Sequence, residues 1–291
     1  MKRPIILLLA VLTLLYSCNT KSEYSDWRGP NRDGIFPENG LLKQWPPEGP
    51  ALLWSFEDLG YGHTGVAATG DRIYVTGIRD SAQSLGTFFV FDTGGNLLLE
   101  KDYGKDFTNN FIGTRATPVV VDELVYIESG AGAVYCLEAT TGEEVWSKDF
   151  IEDFGADSAI QFGYSESVLI DGDQLICVPG GKEHNVVSLN RFTGEKIWSS
   201  TGNGEQATYN SPILVERGEQ RLVIAMTSGS IMGIDADTGE MYWQVEQTQR
   251  NKIHANTPLY YDGRLLVSSA DPTSTSGLVQ LELAENGKQA Q

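Results

Sequence analysis

The chain has 291 residues, 41% of them hydrophobic, and its 39 acidic residues outnumber 21 basic ones for a formal net charge of −18. A surface this acidic repels phosphate backbones, which argues against nucleic acid as a partner, and no polybasic run offers a site for anionic lipid. The length suits two average domains or one large all-β domain, and the 32 glycines suit a chain of many tight turns.

The N-terminus reads as an export signal. Lys2 and Arg3 precede the apolar run PIILLLAVLTLL, which is too short to span a bilayer comfortably. Leu15, Ser17 and Cys18 then resemble a bacterial lipoprotein cleavage box, with Tyr16 larger than the residue usual at its position. Residues 1–17 are therefore read as a lipoprotein signal peptide and Cys18 as the lipidated first residue. The acyl chain would hold the protein in the cell envelope, at the outer membrane or periplasmic face, without a span. An ordinary secretory signal with an incidental cysteine is the competing reading. Residues 18–50 follow as a tether and lead-in. The other two cysteines, Cys136 and Cys177, sit in apolar runs and read as small buried hydrophobes, not as a disulfide framework.

From residue 51 the chain reads as short strands. ALLWSF (51–56) carries Trp54 in the context of a closing strand, and five units follow at about 61–102, 103–150, 151–200, 201–247 and 248–291. Unit two shows the plan: RATPVVV, VYIES, AVYCLEA and EVWSKDF are rich in Val, Ile and aromatics and are separated by DEL, GAG and TTGE turns. ESVLIDGDQLICVPGG, SPILVERGEQRLVIAMTSGS and TPLYYDGRLLVSSA repeat it in units three to five. No amphipathic helix is predicted after the signal.

One phrase closes successive units. TGEEVW, TGEKIW and TGEMYW place Gly142, Gly194 and Gly239 at spacings of 52 and 45 residues, with Gly95 and Gly287 in the same slot upstream and downstream. A period of this length in units of several strands predicts a β-propeller with four-stranded antiparallel blades. The glycine supplies the positive φ of a hairpin turn, and the Thr before it bonds back to the turn backbone. The Trp that follows (Trp146, Trp198, Trp243, and Trp54 upstream) begins an outer strand, where its ring wedges against the next blade.

The phrase, together with DWRGPNRDG (26–34), the stretch from Phe162 to Trp198 and YNSPILVE (209–216), resembles the tryptophan-docking repeats of quinoprotein-like (PQQ-like) β-propellers. The likeness is to their exported lipoprotein branch, grouped with the barrel-assembly propeller BamB, and it covers essentially the whole mature chain. It implies the fold more strongly than any activity, because the docking motif is shared by enzymes and non-enzymes. Such rings have seven or eight blades, whereas about five units are present here. Either the chain carries part of such a ring, or the strand of Trp54 completes unit five and closes a five-bladed one. The end of the chain in mid-unit, with Gln291 in the Trp slot, favours the first.

The segments that start each inner strand (GHTGV, TRATPV, GYSESV, TYNSPI, HANTPL) are expected to face the central funnel. They gather Arg115, Tyr164, Glu166, Tyr209, Asn210, His254 and Asn256 as candidate binding residues, with His63 in the first unit. The resemblance opens three readings of this ring. A quinone such as PQQ would want Arg115, and its calcium ion oxygens such as Glu166, Asn210 and Asn256. A peptide, protein or glycan would want the aromatic and amide groups. A purely structural role would use them to satisfy turns and pack the channel. The family's dehydrogenases carry adjacent cysteines, which are missing here, as is any CxxCH motif. His63, His184 and His254 lack metal-ligand spacing, PGGKEHN (179–185) lacks the spacing of a phosphate loop, and no GxSxG is present. The expectation is a monomeric, non-catalytic envelope scaffold or binding module with a protein or peptide partner and no assigned cofactor. A PQQ-dependent alcohol or sugar dehydrogenase and a carbohydrate-binding propeller are the alternatives.

Overall fold

Short β-branched and aromatic runs between glycine and aspartate turns form twenty strands among the residues that the computed structural model describes, 24–157, 160–247, 252–268 and 277–291. The signal segment and Cys18 lie outside those residues. In chain order the strands are β1 (Tyr24–Ser25), then β2 (Ala67–Thr69), β3 (Arg72–Gly77), β4 (Leu85–Asp92) and β5 (Leu97–Lys105). The second group is β6 (Val119–Val121), β7 (Leu124–Ser129), β8 (Ala133–Glu138) and β9 (Glu144–Asp149). The third is β10 (Leu169–Asp171), β11 (Gln174–Cys177), β12 (Val186–Asn190) and β13 (Lys196–Ser200), and the fourth is β14 (Ile213–Arg217), β15 (Gln220–Met226), β16 (Ser230–Asp235) and β17 (Met241–Glu246). The fifth holds β18 (Leu259–Tyr261), β19 (Arg264–Ser268) and β20 (Leu278–Glu282).

Each group is one antiparallel meander, and the five sheets are arranged as successive blades of a β-propeller. The innermost strands of neighbouring blades lie side by side, β2 with β6 and β10 with β14. The core fills the spaces between blades. Trp146 and Trp198 join one apolar cluster with residues of the second, third and fourth sheets, and Trp243 joins another between the fourth and fifth.

A bulge recurs at one register in four blades. It follows Val90, Cys136, Ser188 and Gly233, which are the partners of Leu99, Trp146, Trp198 and Trp243 on the outer strand. The extra residue increases the local twist. The indole then reaches the next blade's turn. Trp146 Nε1 donates to Arg191 O at 2.9 Å, Trp198 Nε1 to Ala236 O at 3.0 Å and Trp243 Nε1 to Gly287 O at 3.0 Å. A Cβ on Gly194 or Gly239 would stand 2.8 or 2.7 Å from the ring of Trp146 or Trp198, so the turn glycine is needed for close approach as well as for its positive φ.

Two features depart from the expectation. A five-residue helix, α1 (Phe150–Phe154), follows β9 where no helix was predicted; Asp149 caps it, accepting from Ile151 N and Glu152 N, and Gly155 ends it at φ 64°. Five residues are too few to show a helical period. The second sheet has a fifth strand, because β1 pairs antiparallel with β6 along its channel edge. Of the two readings of the Trp54 strand, the ring-closing alternative is not met, because that strand does not complete the fifth blade. Trp54 Nε1 donates to Thr93 O at 3.0 Å, and its ring stacks on Phe91 against the turn of the first blade, while residues 289–291 lie beside the end of β20 through Leu283 and Ala290.

Candidate functional site

The starts of the inner strands meet at the hub. Gly65, Thr117, Ser167, Ser211 and Thr257 hold equivalent positions just before β2, β6, β10, β14 and β18 and lace one blade to the next. Gly65 N donates to Thr117 Oγ1 at 3.1 Å, Ser167 N to Ser211 Oγ at 2.9 Å and Ser211 N to Thr257 Oγ1 at 3.3 Å. Ser167 Oγ in turn donates to Thr117 O at 3.1 Å. Backbone donors that no sheet ladder satisfies are thus paired across blades, which is why small hydroxyl residues stand at this register.

The N-terminal segment seats in this hub. Ser25 Oγ accepts from Ala68 N at 3.0 Å, and Arg32 donates to Val168 O and Ser167 O, both at 2.6 Å. Arg32 is also paired with Asp26 at 2.8 Å, and both side chains are buried. The strap 24–32 therefore links the first three blades at the axis and carries Trp27 to the channel.

Beside Trp27 is a cavity of about 300 Å³. Arg115, Tyr209 and His63 line it with the laced hydroxyls, and among the described residues its lining contains no aspartate or glutamate. Arg115 is held by the carbonyl of Phe162 at Nε and by those of Phe111 (2.8 Å) and Asn110 (3.2 Å) at Nη2, over the ring of Phe107. Burial pulls its guanidinium below the ordinary value, although Asp106 acts in the other direction. Tyr209 stands tilted against Phe162, and its hydroxyl accepts from Phe162 N at 3.4 Å.

Of the seven candidates, Arg115 and Tyr209 line this cavity. Tyr164 is buried edge-on against Phe150 and donates to Pro179 O at 2.9 Å. Asn210 is buried and its Nδ2 donates to His254 O at 3.2 Å. His254 is fully buried and neither ring nitrogen has a well-formed hydrogen bond; burial holds the imidazole below its ordinary 6.5, partly offset by the backbone of Ser228 and Gln247 and by Glu205. Asn256 is exposed and bonds Ser268 Oγ at 2.8 Å.

Glu166 is buried with a second carboxyl, Glu128 of β7. Glu128 Oε1 accepts from Glu166 N at 3.0 Å, and Glu166 Oε1 accepts from Val178 N at 3.0 Å. Burial raises both acids, Glu166 to about 7 and Glu128 well above the ordinary 4.5, the latter also through the charge of its partner. Ionising both acids together in this buried site is disfavoured, which favours a proton held by the pair. Glu166 and Asn210 are thus engaged in separate joints while Asn256 lies exposed, and this oxygen set does not fit a calcium ion. Among the described residues no group of three or more His, Cys, Asp or Glu side chains is placed to hold a metal.

Sequence reasoning missed Asp26, Arg32 and Glu128. An acid inside the apolar strand VYIES was the available sign for Glu128. For Asp26 and Arg32 the signal was the charged phrase DWRGPNRDG, whose seat in the channel depends on tertiary contacts. A larger cavity, about 600 Å³, lies off the hub between α1 and the loop at 180–184, with Asp153, Asp157, Glu183 and Lys182 mixed in its lining.

The family model described as outer membrane protein assembly factor BamB matches residues 39–290. The outer membrane protein assembly factor BamB of Kangiella koreensis is 20% identical over 206 residues, 71% of this chain and 48% of that protein. The one from Burkholderia pseudomallei is 28% identical over 173 residues, 57% and 39% of the two chains. A quinohemoprotein alcohol dehydrogenase of Comamonas testosteroni is 26% identical over 160 residues, 50% and 22% of the two. The crystal structure of quinohemoprotein alcohol dehydrogenase from Comamonas testosteroni shares the fold with a TM-score of 0.57 at 16% identity, covering 80% of this chain and 45% of that one. The chain spans less than half the length of the curated relatives it matches.

Proposed function

Since the chain belongs to the outer membrane protein assembly factor BamB family, we propose that it is a non-catalytic β-propeller of the cell envelope, tethered by a lipid on Cys18, that binds an envelope protein or peptide at its hub. The hub cavity carries this reading. Trp27, Arg115 and Tyr209 converge there on a concave site bounded by a rigid hydroxyl lacing, the mix of aromatic and guanidinium groups that anchors protein contacts. The placement of Glu166 and Asn210 within blade joints, bonded to backbone, supports binding over quinone chemistry that would draw on them as calcium ligands.

A photo-crosslinking residue at position 209 in the full chain, expressed in its own envelope, should capture a defined envelope protein, and Cys18→Ser should release the chain from membranes. Adding PQQ with calcium should leave the melting temperature unchanged; a ligand at a hundred times its Kd would add about 2.7 kcal/mol of stability. A clear shift with alcohol oxidation would overturn the non-catalytic reading. A Cys18→Ser chain that stays on the membrane would overturn the anchor.

A further inference from the structure

We propose that the hairpin-turn end of the propeller faces a zwitterionic lipid surface and that the hub cavity is held on the side away from it. The inference rests on the reading of Cys18 as the lipidated residue and adds which face that anchor turns to the membrane.

The direction of the strap carries the inference. β1 pairs antiparallel with β6, Tyr24 opposite Val121 and Ser25 opposite Val120. The inner segment of that blade runs from Thr117 at the cavity through β6 to the turn at Asp122 and Glu123. The strap therefore climbs the channel from the turn end, past Ala68 N, which donates to Ser25 Oγ at 3.0 Å, to Trp27 in the cavity lining. Tyr24, its first residue, stands at the turn end beside the axis, about 13 Å below Thr117. Six peptide units join Cys18 to Tyr24, a reach of at most about 21 Å.

That reach decides the facing. β1 is the innermost of five strands in the second sheet, and β9 is the outermost. From β1 to β9 is about 19 Å at the usual strand spacing, and the 6 residues of β9 rise about 20 Å more to the loop end. A route around the blade is thus about twice as long as the tether. Back up the channel the way is taken by the strap, lodged between β6 and β2. The short exit leads out past the turns, so the acyl chain holds that end to the bilayer. Each turn after an inner strand adds an exposed acid: Asp71, Asp122, Asp173, Glu219 and Asp262. Anionic headgroups repel such a set, so the surface it meets is zwitterionic and the contact is imposed by the tether. The hub cavity then opens to the aqueous side, and its ligand arrives from water, not from within the bilayer.

The mature chain from Cys18 is coupled through that thiol to a maleimide lipid in phosphatidylcholine vesicles; Cys136 and Cys177 are buried and stay uncoupled. A fluorescent amino acid replaces Asp173 or Glu183, exposed residues beyond the two ends of β11, and the headgroups carry an energy acceptor. The two positions lie about 20 Å apart along the blade, so transfer from 173 should exceed that from 183 at least about twofold. Equal transfer, or stronger transfer from 183, overturns the facing. About twenty Gly and Ser residues inserted after Cys18 should shrink the difference. A difference unchanged by that linker overturns the tether as its cause. The chain made in its own cells tests the anchor separately. If it does not float with membranes, the lipid on Cys18 is overturned and the membrane with it, whatever the coupled chain shows.

Discussion

The backbone amide of Glu166 donates to the carboxyl of Glu128 at 3.0 Å, across the joint between the second and third blades. Both side chains are buried, and the charged Asp26–Arg32 pair of the strap lies beside them, Arg32 lowering Glu166 slightly against the larger effect of burial. The pair is neutral or singly charged because a second charge has neither solvent nor a cation of its own.

The linkage follows from the direction of those shifts. In the unfolded chain both acids ionise near 4.5, while in the folded chain Glu166 keeps its proton to about 7 and Glu128 beyond that. The folded state holds more protons through this window. Its stability is full below 4.5 and declines as pH rises through 7, by about 1.4 kcal/mol per pH unit for each proton held. Glu128→Gln keeps an acceptor for Glu166 N and removes one titrating group. It should flatten that decline and exceed the parent in stability above pH 7. His254 acts oppositely, withdrawing stability as pH falls below 6.5, but equally in both proteins. Urea titrations across the range measure the difference; parallel curves would refute the upward shift of this acid pair.

The strap yields a second prediction. Asp26 is the only carboxylate paired with Arg32 among the described residues, at 2.8 Å, and the guanidinium is otherwise held by two carbonyls. Asp26→Asn leaves a buried charge without its counter-ion, and one-sided breaks of this kind cost about 3–5 kcal/mol. The expected result is a lower urea midpoint together with new tryptic cleavage after Arg28 or Arg32. Protection of those sites at parental levels would show that β1 and the turn hold the strap without the ion pair.

How much of this was legible beforehand depends on the range of the interaction. The strand–turn rhythm and the TGE phrase are local: φ 67°, 70° and 77° at Gly142, Gly194 and Gly239 are what the turn chemistry predicts. The hub register was legible as well, since Gly65, Thr117, Ser167, Ser211 and Thr257 fall on one column of the aligned units. Side-chain direction was not. Tyr164 and Arg115 come from equivalent segments, yet one turns into a blade joint toward Phe150 and the other lies at the cavity. That choice is set by α1, a five-residue insertion after β9 that gives Tyr164 an apolar wall, and by contacts of high sequence separation such as Arg32 to Ser167.

The turn glycines separate two costs that are usually merged. Gly194 has φ 70° and its Cβ would lie 2.8 Å from the Trp146 ring, whereas Gly172 has φ 57° with open space around its Cβ. Gly172→Ala pays only the left-handed backbone, about 1–2 kcal/mol. Gly194→Ala adds displacement of the indole and should cost about 1–3 kcal/mol more. Equal midpoints for the two variants in chemical denaturation would mean that the Trp146 ring yields freely and that its contact with the turn contributes little.

Trp198 tests the wedge itself. It is 7% exposed, and its Nε1 donates both to Ala236 O and to Gln174 Oε1, each at 3.0 Å. Trp198→Ala removes the ring from the joint of the third and fourth blades, where partial collapse leaves a cavity, so the expected loss is about 3–5 kcal/mol. Trp198→Phe keeps a flat ring but removes the donor. Gln174 Nε2 still donates to Ala236 O at 3.2 Å and Ser188 Oγ still donates to Gln174 Oε1 at 2.6 Å, so neither acceptor is orphaned and the loss should stay near 1 kcal/mol. Ile197, the preceding residue, is 48% exposed on the opposite side of the same strand, and Ile197→Ala should change stability by no more than about 0.5 kcal/mol. That ordering, Ala well below Phe and Phe close to the Ile197 control, places the energy of the joint in the buried ring. If Trp198→Ala unfolded at the same denaturant concentration as Ile197→Ala, the indole would be ornament on a blade joint held by its aliphatic residues alone.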